Sequence, residues 1–214
     1  MHRRTALSVS AALLAAAPLL TACGGEAHPG AAAVVGGERI EVSSLQAQVA
    51  DVRAAQQASP QAEQLIQATG DLSREKLNVM IFDRVVDRVA EDNGITATRG
   101  EIQQARDEFT QQSGGAEQLA ATLLQQQGVA PDQIDGVVRR TVLMNKIAAK
   151  LGIANTPEGQ KKLTEVFTAA SKDLGIDVNP RFGTWDDAKI QLGTFQAPWL
   201  RQITQDPASA EAGA

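Results

Sequence analysis

Few residues in this chain carry groups that react at neutral pH, and their positions narrow the chemistry at once. Of 214 residues, two are histidine and one is cysteine. His2 and His28 both lie near the amino end, so a Ser–His or Cys–His nucleophile pair has no imidazole to draw on within the body of the chain. The common His/Cys zinc sites lack their ligands for the same reason. Neighbouring carboxylates occur at Glu91-Asp92 and Asp186-Asp187, but each pair reads as a solvated surface rather than an acid–base couple. The run Val34-Val35-Gly36-Gly37-Glu38 lacks the third glycine and the helix start of a dinucleotide fingerprint, and no phosphate loop is present. The expectation is a protein without catalytic residues, without a cofactor and without a metal.

The remaining reactive group is the thiol of Cys23. It follows a basic start, His2-Arg3-Arg4, and an apolar run over Ala6–Leu20 that is too short to span a bilayer comfortably. The run closes on Leu20-Thr21-Ala22-Cys23, with Gly24-Gly25 beyond. This resembles the lipobox of bacterial lipoproteins: an aliphatic residue, a small residue, a second small residue, then cysteine. The resemblance implies recognition through Leu20, Thr21 and Ala22, cleavage before Cys23, and a diacylglycerol on its sulfur. A lipid-anchored protein on the extracytoplasmic face of the cell membrane is the expected localisation. With its one cysteine so used, the mature chain has no disulfide.

Composition agrees with a partner that is neither nucleic acid nor an anionic surface. Formal net charge is −5, and Arg3 and Arg4 are the only charges in the first 22 residues, so the remainder is more acidic still. Two Trp, five Phe and no Tyr leave little with which to stack bases.

These features need a body to carry them, and the chain reads as mainly helical. Residues 1–22 are the expected signal peptide and 23–30 a flexible tether. Residues 31–187 form the expected domain, and 188–214 an extension whose last ten residues are expected to be disordered. Gly36-Gly37 between two short apolar runs predicts a hairpin over Val34–Val42. Ser43 or Ser44 is expected to cap a first helix, and Ser59-Pro60 to restart one. The longest pattern, Leu72–Ile95, places Val79, Ile81, Phe82, Val85, Val86, Val89 and Ala90 over about half a helix circumference. Ser73 is its expected cap and Asn93-Gly94-Ile95 its left-handed stop. Thr98 and Glu101 have the spacing of a capping box, Gly114-Gly115 and Gly128 are breaks, and Pro131 and Thr156-Pro157 open two further helices. Near Ile176–Val178 the period shortens to that of a strand, whose expected partner is the hairpin at the other end of the domain.

The order of these parts is similar to the N-terminal chaperone domain of SurA/PrsA-type foldases. The residues that carry the likeness are Val34–Val42 (VVGGERIEV), the long helix ending in Gly94-Ile95-Thr96, then Thr98, Glu101 and Ile102, and Val178–Gly183 (VNPRFG). The resemblance implies a helical SurA N-terminal-like domain with a small β-sheet made by the N-terminal hairpin and a C-terminal strand. It also implies a holdase for unfolded or newly exported polypeptides. Members of that group often insert a parvulin isomerase before the closing strand. Here Gly152–Gly175 leaves room for one helix and holds no histidine, so isomerase activity is not expected. A second reading is a binding lipoprotein with one dedicated envelope partner. Met80, Phe109, Leu124 and Met144 are the candidates for a client-binding lining, flexible apolar side chains that suit varied partners; each also fits an ordinary core position.

Overall fold

Gly36 and Gly37 have φ of 59° and 81°, the pair of positive angles that a tight two-residue hairpin needs. They join β1 (Ala31–Val35) to β2 (Glu38–Glu41). On its other side β1 pairs antiparallel with β3 (Asp177–Val178), through Ala33 opposite Val178 and Val34 opposite Asp177. The sheet order is β2-β1-β3, so the beginning and the end of the folded body meet in one ribbon as expected. Asn179 extends this seam, donating from its backbone to Ala32 O at 3.0 Å and from its side chain to Ala31 O at 3.2 Å. These observations come from a computed structural model that describes residues 30–193.

Seven α-helices lie among the described residues. They are α1 (Val42–Gln57), α2 (Ala62–Ala68), α3 (Leu72–Asp92), α4 (Arg99–Gln112), α5 (Ala116–Gln127), α6 (Ile134–Lys150) and α7 (Pro157–Leu174). A 3-10 turn, Pro131–Gln133, leads into α6. Most ends follow local chemistry. Gly94 has φ of 64°, Gly94 N donates to Glu91 O at 3.0 Å and Ile95 N to Ala90 O at 2.8 Å, the two bonds of a Schellman ending. Thr98 Oγ1 accepts from Glu101 N, while the Glu101 carboxylate accepts from Thr98 N at 2.8 Å. Thr156 caps α7 through Gly159 N at 3.1 Å, with Pro157 in the first position.

Three expected serine caps are not used. β2 runs straight into α1, so Glu41 holds the cap position in an extended conformation and Ser43 and Ser44 fall inside the first turn. Ser73 likewise lies within α3, whose start is set by a turn in which Asp71 O accepts from Arg74 N and Glu75 N at 2.9 and 3.1 Å. Ser59 shapes a turn through Gln61 N, and α2 begins two residues after Pro60. In each case the preceding backbone already fixes the helix entry.

α3 is the element that the others share, touching α1, α6, α7, β1 and the segment Gln191–Gly193. Its first half contributes Leu77 and Ile81 to a cluster with Ala33, Ile40, Leu45, Val178 and Phe182, under the sheet. Its second half contributes Val85, Val86 and Val89 to a cluster with Leu143 and Ile147 of α6 and Phe167 of α7. Leu72 at its start joins Val52, Leu65 and Leu124 in a third. A fourth cluster, without α3, packs α5 against α6 through Leu119, Leu123, Ile134 and Val138. The opposite face of α3 is tied by charge: Asp83 to Arg140 at 2.7 Å, Asp87 to Arg139 at 2.8 Å and Arg84 to Glu38 at 2.7 Å.

Residues 184–193 form a second hairpin, β4 (Thr184–Asp186) with β5 (Gln191–Gly193), that short strands and a turn holding Ile190 at φ 53° kept out of the sequence pattern. Trp185 Nε1 donates to Ser171 Oγ at 2.7 Å, Ser171 Oγ donates to Asp187 Oδ1 at 2.5 Å, and Leu192 N donates to Asn78 Oδ1 at 2.7 Å. These bonds strap the hairpin onto α7 and α3, so the folded body includes residues 188–193 and the expected boundary at 187 falls inside this hairpin.

Candidate functional site

The packing just described leaves a recess along one face of α3, between α1 and α6. Leu72, Lys76, Val79 and Asp83 recur three or four residues apart and therefore share that face. Gln48 of α1 stands on one side, Gly136, Val137 and Arg140 of α6 on the other, and the α5 end with the 3-10 turn closes the third through Gln127, Val129 and Gln133. Together they bound a cleft of about 530 Å³. Leu72, Val79, Val129 and Val137 give it apolar wall, and three glutamines give it amide groups that both donate and accept. Such a mixture can bury short apolar side chains and satisfy peptide groups at the same time.

Lys76 is the polar residue drawn deepest into this surface, at 5% exposure. Its ammonium donates to Gln133 Oε1 at 2.7 Å, and Gln133 Nε2 donates to Gln48 O at 2.9 Å, a chain that links α3, the 3-10 turn and α1. Burial, and then the neighbouring Arg140 charge, hold the Lys76 pKa down to about 8, against the opposing pull of Glu75, Asp132 and Asp83. Burial also pushes Asp83 up, with Arg140 resisting.

The lowered Lys76 fixes a sign. Below about pH 8 the folded protein holds a proton on a desolvated amine. Between about 8 and the ordinary value of 10.5 the unfolded chain binds that proton and the folded one does not, so stability rises with pH through this window. Removing the charge recovers about 3 kcal/mol, the net of burial and Arg140 repulsion against the pull of the carboxylates, and losing the hydrogen bond to Gln133 offsets about 1 of it. Lys76→Met is therefore expected to stabilise the fold by about 2 kcal/mol at pH 7 and to flatten the rise between pH 8 and 10, as read from urea unfolding at each pH.

The four candidate lining residues do not come together. Met80 packs half-buried on the cluster beneath the sheet, Met144 on the α3–α6–α7 cluster, and Phe109 on the α5–α6 cluster. Leu124 is buried in the cluster around Leu72. None of the four lines the cleft. The groups that do were passed over because Lys76, Gln133 and Arg140 are polar. A signal was nevertheless present: Lys76 lies four residues after Leu72 and three before Val79, within an apolar stripe. Leu20, Thr21, Ala22 and Cys23, together with the last ten residues, expected to be disordered, lie outside the described residues.

Among the described residues no group of three His, Cys, Asp or Glu is placed to hold a metal ion. No helix among them is long and apolar enough to cross a membrane. Searches of curated proteins and of solved structures return no significant match. The family model of the SurA-like N-terminal domain matches residues 3–157, which takes in the hairpin, the first six helices and the start of α7. The closing strand β3 lies beyond that match and completes the sheet that the hairpin begins. With nearly three quarters of its length so matched, and with its helices built around α3 and joined end to end by a small sheet, the chain belongs to the SurA-like N-terminal domain family, a chaperone-related group.

Proposed function

We propose that this chain is a lipid-anchored, extracytoplasmic holdase that binds unfolded or newly exported polypeptides in the cleft between α1, α3 and α6, without enzymatic activity. The observation that carries this reading is the cleft itself, with valine and leucine walls set among three glutamines. Amides pair with any peptide backbone, and a shallow apolar wall accepts many side chains, which is what weak binding without sequence preference requires. Absence of catalysis is argued from the sequence: both histidines precede the folded body and the one cysteine stands at the lipobox. The reading is tested by light scattering with several unrelated unfolded clients. Suppressed aggregation of all of them supports it; one tight partner recovered by pull-down, with no suppression, overturns it in favour of a dedicated-partner lipoprotein.

The anchor has its own test. Two acyl chains on Cys23 hold a protein on a bilayer at about 0.8 kcal/mol per buried CH₂. Cys23→Ala is expected to accumulate as unprocessed precursor or to leave the membrane fraction for the medium. A processed Cys23→Ala form that still sediments with membranes would contradict the anchor.

A further inference from the structure

Among the ionisable side chains that line the cleft, Lys76 is buried and Arg140 and Asp83 are partly buried, and the charges of these three do not balance. Arg140 and Asp83 pair at 2.7 Å with side chains 17% and 35% exposed. Lys76, more buried than either, faces an uncharged partner: Gln133 Oε1, at 2.7 Å, is the acceptor its ammonium has among the described residues. No second protein acceptor reaches its other two N–H groups among the described residues. The other carboxylates that act on it, Glu75 on its own helix and Asp132 on the 3-10 turn, also line the cleft, but at its exposed rim. Their pull is weakened by water, whereas an anion seated on the floor would meet Lys76 at low dielectric. From α1 and α5 the cleft receives only the neutral amides of Gln48 and Gln127.

We propose that Lys76 is the docking point for a carboxylate carried by the bound polypeptide, so that the cleft favours client segments bearing an acidic side chain or a free chain end. The inference rests on the cleft being the client site. A carboxylate supplies the missing countercharge, accepts from those N–H groups and leaves the Lys76–Gln133–Gln48 chain in place. The depressed Lys76 accords with this: burial, and then the Arg140 charge, hold the amine down, and an anion on its ammonium would offset both.

Four fluorescent decapeptides of Ser, Gly, Leu and Phe make the test. They differ only in a central Glu or Gln and in a free or amidated C-terminus, and each is titrated onto the full chain in mild detergent. A charge-assisted hydrogen bond at a dry site is expected to make a carboxylate peptide bind about tenfold tighter than its amide twin. Tighter binding of the Glu member of the amidated pair identifies an acidic side chain as the source. Tighter binding of the free-acid member of the Gln pair identifies the chain end. In Lys76→Met the twins are expected to bind alike. Equal binding of all four to the wild-type chain overturns the carboxylate inference and leaves the client cleft standing. A preference that survives Lys76→Met overturns the role of Lys76, and failure of all four to bind overturns both readings.

Discussion

Ile81→Ala is expected to destabilise the protein by about 4 kcal/mol, within the range for truncating a fully buried branched side chain. Ile81 has no exposed surface and sits where α3 meets the sheet, in one cluster with residues from early and late in the folded body: Ala33 and Ile40, Val178 and Phe182. The cavity left by the substitution cannot collapse easily, because the β1–β3 pairing fixes one wall and the α1–α3 packing the other. A domain of this size is stable by only about 5–15 kcal/mol, so the change takes a large share of the total. Urea unfolding reads it as a lower midpoint at unchanged slope. Glu91→Ala, on the exposed side of the same helix, is the control and is expected to stay within about 0.5 kcal/mol of the parent. A loss below about 1 kcal/mol at Ile81 would mean that the end-to-end sheet is not anchored on α3.

Gly136→Trp is expected to separate function from folding. Gly136 lines the cleft from α6, is exposed, and a Cβ built on it meets no atom within 4 Å. An indole there grows into the cleft rather than into the core. Replacing glycine inside a helix also favours the helix, here by about 0.5 kcal/mol. Urea unfolding should therefore show equal or slightly higher stability. Client holding should fall at least about tenfold, equivalent to a loss of roughly 1.4 kcal/mol in binding, in the same aggregation assay. Full holding by a stable Gly136→Trp protein would show that clients bind elsewhere on the surface.

Much of the fold could be read from residues whose local chemistry admits few conformations. Gly94 adopts the left-handed conformation expected of it, and Gly128 and Gly175, where α5 and α7 end, adopt it as well. Thr98 with Glu101, and Thr156 with Pro157, cap α4 and α7 where their spacing placed them. The Gly36-Gly37 turn and the short alternation at Ile176–Val178 were enough to pair β1 with β3 across nearly the whole folded body. Ser43, Ser59 and Ser73 misled because a serine near a helix start caps only if the chain enters with a free turn, and these entries were already fixed by a strand or by neighbouring backbone bonds. β4 and β5 escaped notice because three-residue strands have too little alternation to stand out and the residue at positive φ in their turn is isoleucine, not glycine.

The site was less legible than the fold for a related reason. Periodicity tells which face of a helix is apolar, but not which neighbour covers it. Met80, Phe109, Leu124 and Met144 each face inward on their own helix, and tertiary packing distributes them over four separate clusters. At the cleft α3 meets α6 through the charged pair of Asp83 and Arg140, while the apolar contact between the two helices lies further along, at Val86, Leu143 and Ile147. That spacing between helices is a property of the pair, which neither sequence segment states alone.

As a holdase, the protein would hold an extended polypeptide in the α1–α3–α6 cleft. Site-specific photo-crosslinking tests this directly, with a photoreactive side chain placed in turn at position 136 in the cleft and at position 164 on the outer face of α7. Unfolded clients are expected to crosslink from position 136 and not from position 164. Crosslinks from position 164 with none from position 136 would contradict the account.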